Sequence, residues 1–218
     1  MKVDMLNEAI SLNPPAFFAE KAYELRAFAM PKRYTLQQIK AHEVPVTHAE
    51  RGEVEAFIAE VFYRFYRATV KNFMPRLIAL RDEEHTLMAA FGMREAGDAT
   101  LFLEQYLDEP IEKIISRSFN KTIARADITE IGNLAVANPR NSGILMAHVI
   151  QHSLAANVQW CVATAHHTLH NGLIKGGVDV TPIHAVDPNR LPEDELAHWG
   201  SYYDHSPQIV AVSRMAGK

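Results

Sequence analysis

Apolar side chains recur with helical spacing in several stretches of the chain, and this periodicity predicts its main helices. The strongest stripe runs from Val54 to Tyr66, with apolar residues at positions i, i+3, i+4 and i+7, and is interpreted as a core-facing surface. Residues 47–50 (Thr-His-Ala-Glu) fit a capping box, which predicts that this helix starts there. Further helices are predicted at 16–30, 110–119, 144–157 and 166–174, the last ending at Gly176-Gly177.

Short apolar runs bounded by turn residues predict the strands. They lie at 77–80 and 86–94, which form a hairpin with a polar turn, and at 128–136, 158–164, 180–186 and 208–214. The order strand, helix, strand between 128 and 164 is a βαβ unit, so its two strands are expected to be parallel. The run 158–164 is continuously apolar, which is typical of a strand buried on both faces. The chain is therefore predicted to adopt an α+β (α/β) fold.

The most informative stretch of the sequence is residues 127–143, DITEIGNLAVANPRNSG. Gly132 interrupts a strand pattern, where glycine usually marks a bulge or the close approach of a backbone or ligand. After the strand, Arg140, Asn141, Ser142 and Gly143 lead directly into an apolar helical run. A turn before a helix N-terminus presents backbone N–H groups and the positive end of the helix dipole, which suits an anion. We expect this turn to hold the pyrophosphate of an acyl carrier.

Composition narrows the functional classes. The chain has 218 residues, 48% of them hydrophobic and 22% charged, which fits one domain (34–218) with an N-terminal helical extension (1–33). The net charge of −4 gives no electrostatic reason to expect nucleic-acid binding. No run of 18 apolar residues occurs, so integral membrane insertion is not expected. The acidic residues near the N-terminus do not suit a signal peptide, and a cytoplasmic location is expected.

Neither metal nor thiol chemistry is expected. Two histidine pairs have i, i+4 spacing, at His148 and His152 and at His166 and His170, but no acidic residue follows in the order typical of zinc hydrolases. The single cysteine, Cys161, lies in an apolar strand, where burial raises a thiol pKa and makes the group unreactive.

The order of elements resembles that of the GCN5-related N-acetyltransferase (GNAT) superfamily. In that superfamily the turn after the bulged strand follows the pattern (Gln/Arg)-x-x-Gly-x-(Gly/Ala), which Arg140 to Gly143 match and from which Leu145 departs. The resemblance implies a mostly antiparallel mixed sheet with one parallel βαβ unit. It also implies that a carrier contacts the strand and turn, with a later asparagine near the pantetheine arm. The implied contacts are Gly132, Asn133, Leu134, Val136, Arg140, Asn141, Ser142, Gly143 and Asn171.

Three segments resemble a narrower bacterial family, the thermostable hemolysins. They are LFLEQYLD (101–108), EIGNLA (130–135) and WGSYYD (199–204), and the resemblance extends over about residues 50–214. The segment Glu-x-Gly-Asn at 130–133 also resembles the Glu-x-Ser-Arg of acyl-homoserine-lactone synthases, with Asn133 in place of the arginine.

Acyl transfer to an amine needs a polarised carbonyl, a base and an acid for the leaving thiolate. A bulge at Gly132 to Leu134 would free a backbone N–H as oxyanion donor. Glu130 or Glu104 is the candidate base, and Tyr202 or Tyr203, taken as unperturbed phenols, the candidate acid. Structural alternatives stay open: Glu130 satisfies strand-end N–H groups or pairs with Arg125, and the tyrosines pack the insert on the sheet.

The resemblance implies an N-acyltransferase that uses acyl-CoA or acyl-carrier protein as a co-substrate, without a tightly bound cofactor. The acceptor is expected to be a small-molecule amine, and the oligomeric state is left open. Two alternatives remain: a protein that lyses membranes directly without catalysis, and a non-catalytic acyl-binding module.

Overall fold

The structure, a computed structural model, describes residues 34–166, 173–174 and 178–214. The predicted extension (1–33) with its helix at 16–30, the pantetheine contact Asn171, and the helix end at Gly176-Gly177 lie outside the described residues. Of the helix predicted at 166–174, the structure describes His166, Leu173 and Ile174.

A seven-stranded sheet forms the centre of the molecule, in the order β1-β2-β3-β4-β5-β7-β6. The strands are β1 (Lys40–Pro45), β2 (Arg76–Arg81), β3 (Leu87–Glu95), β4 (Ile128–Val136), β5 (Trp160–Ala165), β6 (Thr181–Ala185) and β7 (Gln208–Ser213). The β4–β5 pairing is parallel, and the other five pairings are antiparallel. The predicted mixed sheet, the hairpin β2–β3 and the parallel βαβ unit are therefore confirmed.

Four described helices accompany the sheet: α1 (Arg51–Tyr66), α2 (Ile111–Ser118), α3 (Ser142–Ala155) and α4 (Glu193–Ala197). The apolar stripe of α1 lies in the core, where Val54, Ile58 and Val61 are at most 4% exposed. It packs with β2 and β3 in the larger of the hydrophobic clusters. A second cluster joins α2 to the start of β4 and to β5 and β7. No described helix combines the length and the apolar character that crossing a membrane would require.

The predicted capping box before α1 is wrong. The helix begins at Arg51 with Glu50 as its N-cap, and no side-chain cap hydrogen bond forms. The Glu50 carboxylate instead contacts His42 at 2.9 Å and Arg81 at 3.1 Å. Because those ion pairs tie it to β1 and β2, it is not free to bond back to the start of the helix.

Residues 187–207 form an insert that docks on the C-terminal end of α1. The backbone N–H of Ser201 donates to the Tyr66 carbonyl at 2.8 Å, and Thr69 N–H donates to the His198 carbonyl at 2.6 Å. Gly200 has a φ of +51°, and a Cβ there would lie 2.1 Å from the Tyr66 carbonyl oxygen. This contact requires glycine, and it places the aromatic residues of the insert over the sheet.

Candidate active site

A gap opens in the sheet between β4 and β5. The two strands pair only where Ile128–Glu130 meets Trp160–Val162, although both continue beyond these residues. Past Glu130 the strands are no longer hydrogen-bonded to each other. The gap therefore exposes the second half of β4 from its β5 side.

The second half of β4 also contains a bulge. In the β3–β4 register Gly92 faces Gly132 and Ala90 faces Ala135, so Asn133 and Leu134 together oppose Phe91. The predicted bulge is confirmed, but the left-handed conformation belongs to Asn133 (φ +49°). Asn133 and Leu134 have no partner in the sheet register on either side, and a bulge leaves its extra residue out of the regular hydrogen-bond ladder.

The Asn133 side chain fixes the bulge to the loop before β2. Its Oδ1 accepts a hydrogen bond from the Met74 N–H at 2.7 Å, and its Nδ2 donates to the Asn72 carbonyl at 3.3 Å. Asparagine is among the few residues that tolerate a left-handed conformation. Asn133 was predicted to contact a cofactor; its side chain is occupied by these two hydrogen bonds, and the residue lines the cavity described next.

A cavity on the α1 side of the gap encloses about 830 Å³, part of it open to solvent. Eight of its lining residues are Phe, Tyr or Trp. Phe62 and Tyr66 come from α1, and Trp199, Tyr202 and Tyr203 come from the insert. Gly132, Asn133 and Leu134 form the β4 side of the cavity, so the predicted strand contacts and the aromatic residues of WGSYYD meet there.

Glu130 lies in this cavity and is only 2% exposed. Its carboxylate accepts hydrogen bonds from the backbone N–H groups of Phe102 (2.7 Å) and Leu103 (3.0 Å). Burial raises the pKa of Glu130 to about 7, against the lowering effect of those two N–H groups and of Arg94. A carboxylate with a pKa near neutrality is suited to general-base catalysis. The alternative in which Glu130 pairs with Arg125 is wrong, because Arg125 binds Glu104 and Glu112.

Glu104, the other candidate base, does not line this cavity. Its carboxylate accepts hydrogen bonds from the N–H groups of Leu101 and Ile111 and two from Arg125, at 2.6 and 2.8 Å. Burial opposes ionisation of Glu104, but the Arg125 and backbone hydrogen bonds outweigh it, so its pKa is lowered. Glu104 therefore joins the 3-10 turn at Phe102–Tyr106 to the start of α2, and its position suits a structural role.

Both candidate acids line the cavity, but neither is an unperturbed phenol. Tyr203 shares a 2.5 Å hydrogen bond with the hydroxyl of Tyr106, and burial raises its pKa to about 12. Tyr202 donates to the Thr164 carbonyl at 3.5 Å, and burial raises its pKa as well. Both phenols stay protonated at neutral pH, and their raised pKa values make each of them a weaker acid than the unperturbed phenol assumed from the sequence.

The cavity contains polar groups that the sequence did not indicate. The Tyr66 hydroxyl lies 2.9 Å from Nε2 of His166, which follows the end of β5. Arg94 on β3 also lines the cavity, directly across from Glu130 in the strand register. Arg94 stands in a strand pattern with no motif around it, so only the register of β3 against β4 identifies it.

The turn after β4 is open, as an anion site requires. A 3-10 turn (Pro139–Asn141) leads into α3, with Arg140, Ser142 and Gly143 exposed and Asn141 buried. A Cβ added to Gly143 would meet nothing within 4 Å. Val136, at the end of β4, is half-buried beside the turn.

Leu145 stands where the GNAT turn pattern has glycine or alanine, and its packing explains why a large side chain fits there. This side chain is 4% exposed and lies in the core with Val149. Leu145 therefore points away from the open turn and does not obstruct it.

A second groove lies on the α3 side of the sheet and encloses about 1020 Å³. Its walls are mainly aliphatic, and α3 contributes Met146, Val149 and Ile150. Ile131 and Leu134 line both the groove and the cavity, so the two spaces border the same segment of β4.

The groove also changes the expected burial of β5. The strand was predicted to be buried on both faces, yet Cys161 and Ala163 are only half-buried because they line the groove. Burial raises the pKa of the Cys161 thiol, as predicted.

The histidines of α3 pack against the sheet. His148 is 7% exposed, and the His152 ring contacts Phe91 edge-on at 5.9 Å. Burial lowers the pKa of both imidazoles. Within the part of the chain that the structure describes, no three His, Cys, Asp or Glu residues are grouped as a metal site would need.

Sequence comparison identifies one family. The profile described as thermostable hemolysin matches residues 44–218, which is most of the chain. A search of curated proteins finds no match.

Three solved structures that share this fold are named as synthases of acylated small molecules. The acyl-homoserine-lactone (AHL) synthase LasI superposes with a TM-score of 0.54 at 10% identity, over 82% of this chain and 91% of LasI. The CoA-dependent acyl-homoserine lactone synthase BjaI, solved with SAM and isopentyl-CoA, gives 0.52 at 12% identity, over 82% and 84%. FeeM, an N-acyl amino acid synthase from uncultured soil microbes, gives 0.50 at 13% identity, over 80% and 89%. At such identities the likeness shows the fold, and the predicted α+β fold with a mixed sheet and the predicted structural resemblance to acyl-homoserine-lactone synthases are confirmed.

Proposed function

The chain belongs to the thermostable hemolysin family, and from this premise we propose that it is an acyltransferase. It moves an acyl group from a CoA or acyl-carrier-protein thioester to the amine of a small molecule. One observation carries the proposal: the unpaired bulge at Asn133 and Leu134 lies in the same cavity as Glu130, whose pKa is about 7. Oxyanion donors and a base poised near neutrality are two of the three groups that aminolysis of a thioester needs, and the third is an acid for the leaving thiolate.

The proposed reaction uses these groups in sequence. Glu130 takes a proton from the acceptor ammonium, directly or through water, and the amine nitrogen attacks the thioester carbon. A backbone N–H at Asn133 or Leu134 donates to the oxygen that becomes negative. The carbon–sulfur bond then breaks, and the thiolate takes a proton from Tyr203 or Tyr202, both of which are protonated at neutral pH. The phenolate that remains takes the second proton from the nitrogen, which becomes the amide. Glu104 is left out of the mechanism because Arg125 and two backbone amides occupy its carboxylate.

The carrier is proposed to lie along β4 and the open turn. Gly132 to Val136 would line the pantetheine path through the gap, and Asn171, which lies outside the described residues, is the further contact that the family resemblance implies. The helix N-terminus at Arg140, Asn141, Ser142 and Gly143 would bind the pyrophosphate of CoA or the phosphate of a carrier protein. The exposure of Ser142 and Gly143 supports this placement.

The aliphatic groove is proposed to hold the acyl chain. It shares the lining residues Ile131 and Leu134 with the cavity, and both lie beside the bulge where the thioester carbonyl would lie. A groove with mainly aliphatic walls favours a hydrocarbon chain through the hydrophobic effect. The CoA-dependent synthase solved with isopentyl-CoA, which shares the fold, supports a CoA thioester as donor.

The test measures binding and turnover with the full-length chain. Acyl-CoAs from acetyl to palmitoyl are titrated by thermal shift, and free thiol release is then followed with a panel of primary amines. We expect stabilisation that increases with chain length, and amine-dependent thiol release that rises with pH through about 7, following ionisation of Glu130. Glu130→Gln should abolish the rise, whereas Glu83→Gln, in the exposed β2–β3 turn, should not.

Two outcomes would overturn the proposal. One is stabilisation by acyl-CoA without thiol release for any amine, which would indicate a binding module. The other is lysis of liposomes by purified protein in the absence of any thioester, which would indicate a directly lytic protein.

A further inference from the structure

Two opposite charges lie side by side in the aromatic cavity. Arg94 on β3 and Glu130 on β4 are direct cross-strand partners, and both line the cavity. Directly opposed residues of an antiparallel pair have Cβ atoms about 5 Å apart, with their side chains on the same face. The cavity therefore presents a cation and a carboxylate next to each other.

Arg94 is not neutralised by the described part of the protein. Among the described residues no carboxylate lies within 4.0 Å of its guanidinium, which donates to them a single long hydrogen bond of 3.4 Å, to the Thr100 carbonyl. Arg76, Arg81 and Arg125 differ, because each forms ion pairs with two carboxylates. A half-buried guanidinium with unused donors is suited to bind a carboxylate, since its planar fork matches the two oxygens.

Glu130 is not the carboxylate that binds Arg94. Its two oxygens face the backbone N–H groups of Phe102 and Leu103, which draw the carboxylate toward the 3-10 turn. The two charges are therefore held apart by different anchors. A ligand with a carboxylate and an ammonium on one carbon can satisfy both, its carboxylate on Arg94 and its ammonium toward Glu130.

The walls of the cavity indicate the rest of the ligand. The Trp199 ring lies 5.8 Å from Phe102 and 6.0 Å from Tyr203, at the tilted and edge-on angles of aromatic packing. The groove on the other face of the sheet has mainly aliphatic walls, and none of its lining residues within the described ranges is Phe, Tyr or Trp. The two spaces thus differ in chemistry, and an aromatic side chain matches the cavity.

We propose that the acyl acceptor is a free α-amino acid with an aromatic side chain. Its carboxylate binds Arg94, its amine faces Glu130, and its ring packs against Trp199 and Tyr203. The role of this ligand as acyl acceptor rests on the proposed acyl transfer. Its binding to Arg94 and Glu130 does not, because binding requires no turnover. In the reaction a nitrogen–carbon bond forms and the carbon–sulfur bond breaks. Of the two protons that leave the ammonium, one goes to Glu130 and the other goes to the tyrosine phenolate that remains once the thiolate has been protonated.

Calorimetric binding with the full-length chain tests the site without turnover. L-phenylalanine, L-tyrosine and L-tryptophan are compared with 2-phenylethylamine, which lacks the carboxylate, and with L-alanine, which lacks the ring, each with and without saturating CoA. We expect the aromatic amino acids to bind about 10- to 100-fold more tightly than 2-phenylethylamine, the range typical of one charge-assisted bidentate contact. Arg94→Gln should remove this preference and Arg94→Lys should keep part of it. Arg117→Gln, a change at the exposed partner of Glu109, should leave it unchanged.

The outcomes separate this inference from the proposed function. Carboxylate-dependent binding that Arg94→Gln removes supports the site even if no thioester donor ever releases thiol, in which case only acyl transfer fails. Equal binding of 2-phenylethylamine and L-phenylalanine overturns the site, as does no saturable binding of any aromatic amino acid in either condition. A thiol-release KM for L-phenylalanine that Arg94→Gln leaves unchanged, in a variant with wild-type melting temperature, also overturns it and leaves acyl transfer standing.

Discussion

The side-chain oxygen of Asn133 accepts a 2.7 Å hydrogen bond from the backbone N–H of Met74, and this contact joins the β4 bulge to the loop before β2. The same loop is held from its other side by Arg51, which is 8% exposed and donates to the carbonyls of Met74 (2.7 Å) and Pro75 (3.1 Å). The position of the bulge is therefore set by α1 and the β2 loop as well as by the sheet.

Replacement of Asn133 should separate the contribution of its side-chain hydrogen bonds from that of its left-handed backbone conformation. Asn133→Gly keeps the left-handed conformation but loses both side-chain hydrogen bonds, which should lower the free energy of unfolding by about 1–2 kcal/mol. Asn133→Ala also introduces backbone strain and should cost about 1 kcal/mol more. Urea unfolding measures both. Asn120, exposed with a φ of +48°, is the matched control, because its alanine variant should show only the strain. Equal free energies of unfolding for the two Asn133 variants would show that alanine is not strained at this left-handed position.

Glu130→Gln should change how stability depends on pH. The pKa of Glu130 is raised by burial from its usual 4.5 to about 7, so between these pH values the folded protein keeps a proton that the unfolded chain has lost. Stability of the wild type should therefore fall as pH rises from 4.5 to 7, by about 3 kcal/mol relative to the variant. Denaturant unfolding at several pH values measures the difference. Parallel curves for the two proteins would mean that the carboxyl has its usual pKa when buried.

Glu104→Gln should reduce stability without removing the chemistry. The change leaves Arg125 without its closest carboxylate and weakens the acceptor of two backbone amides, so we expect a loss on the order of 2–4 kcal/mol at pH 7. Because its pKa is lowered, this stabilisation should be present above the usual pKa and decrease as pH falls through the folded value. Thiol release per folded molecule should stay within about twofold of wild type. A stable variant without activity would instead identify Glu104 as the base.

Alanine at the two facing glycines of β3 and β4 should destabilise to different extents. A Cβ at Gly92 would lie 2.5 Å from the Met74 Cβ, whereas a Cβ at Gly132 would lie 2.4 Å from the Met74 Cε. The methyl end of methionine can move, but its Cβ is fixed by the backbone. Gly92→Ala should therefore lose about 3 kcal/mol and Gly132→Ala about 1 kcal/mol. Gly52→Ala, in α1 with nothing within 4 Å, should gain up to about 1 kcal/mol. Equal losses at the two glycines would contradict this packing.

Most of the secondary structure could be predicted from the sequence, because it depends on the local periodicity of apolar residues. The strand predicted at 128–136 matches β4, and the stripe from Val54 to Val61 is buried as its spacing requires. Where the prediction was wrong, a distant partner decided the outcome. Glu50 had the right spacing for a capping box, but Arg81 and His42 bind its carboxylate.

Only part of the candidate site could be predicted from the sequence. Glu130, the bulge and the aromatic insert were singled out by motif, and the structure brings all three to one cavity. Arg94 and the Tyr66–His166 pair carried no local signal. Glu104, in contrast, looked equivalent to Glu130 in the sequence, and only the position of Arg125 distinguishes them.

The sequence by itself determined which segments become strands and helices, because burial of apolar side chains at a period of two or near four is a local property of the chain. The tertiary structure alone decided which carboxylate is buried with a raised pKa, which one is ion-paired, and where the sheet opens. Those features depend on desolvation, strand register and charge neighbours that are contributed by residues far apart in the chain.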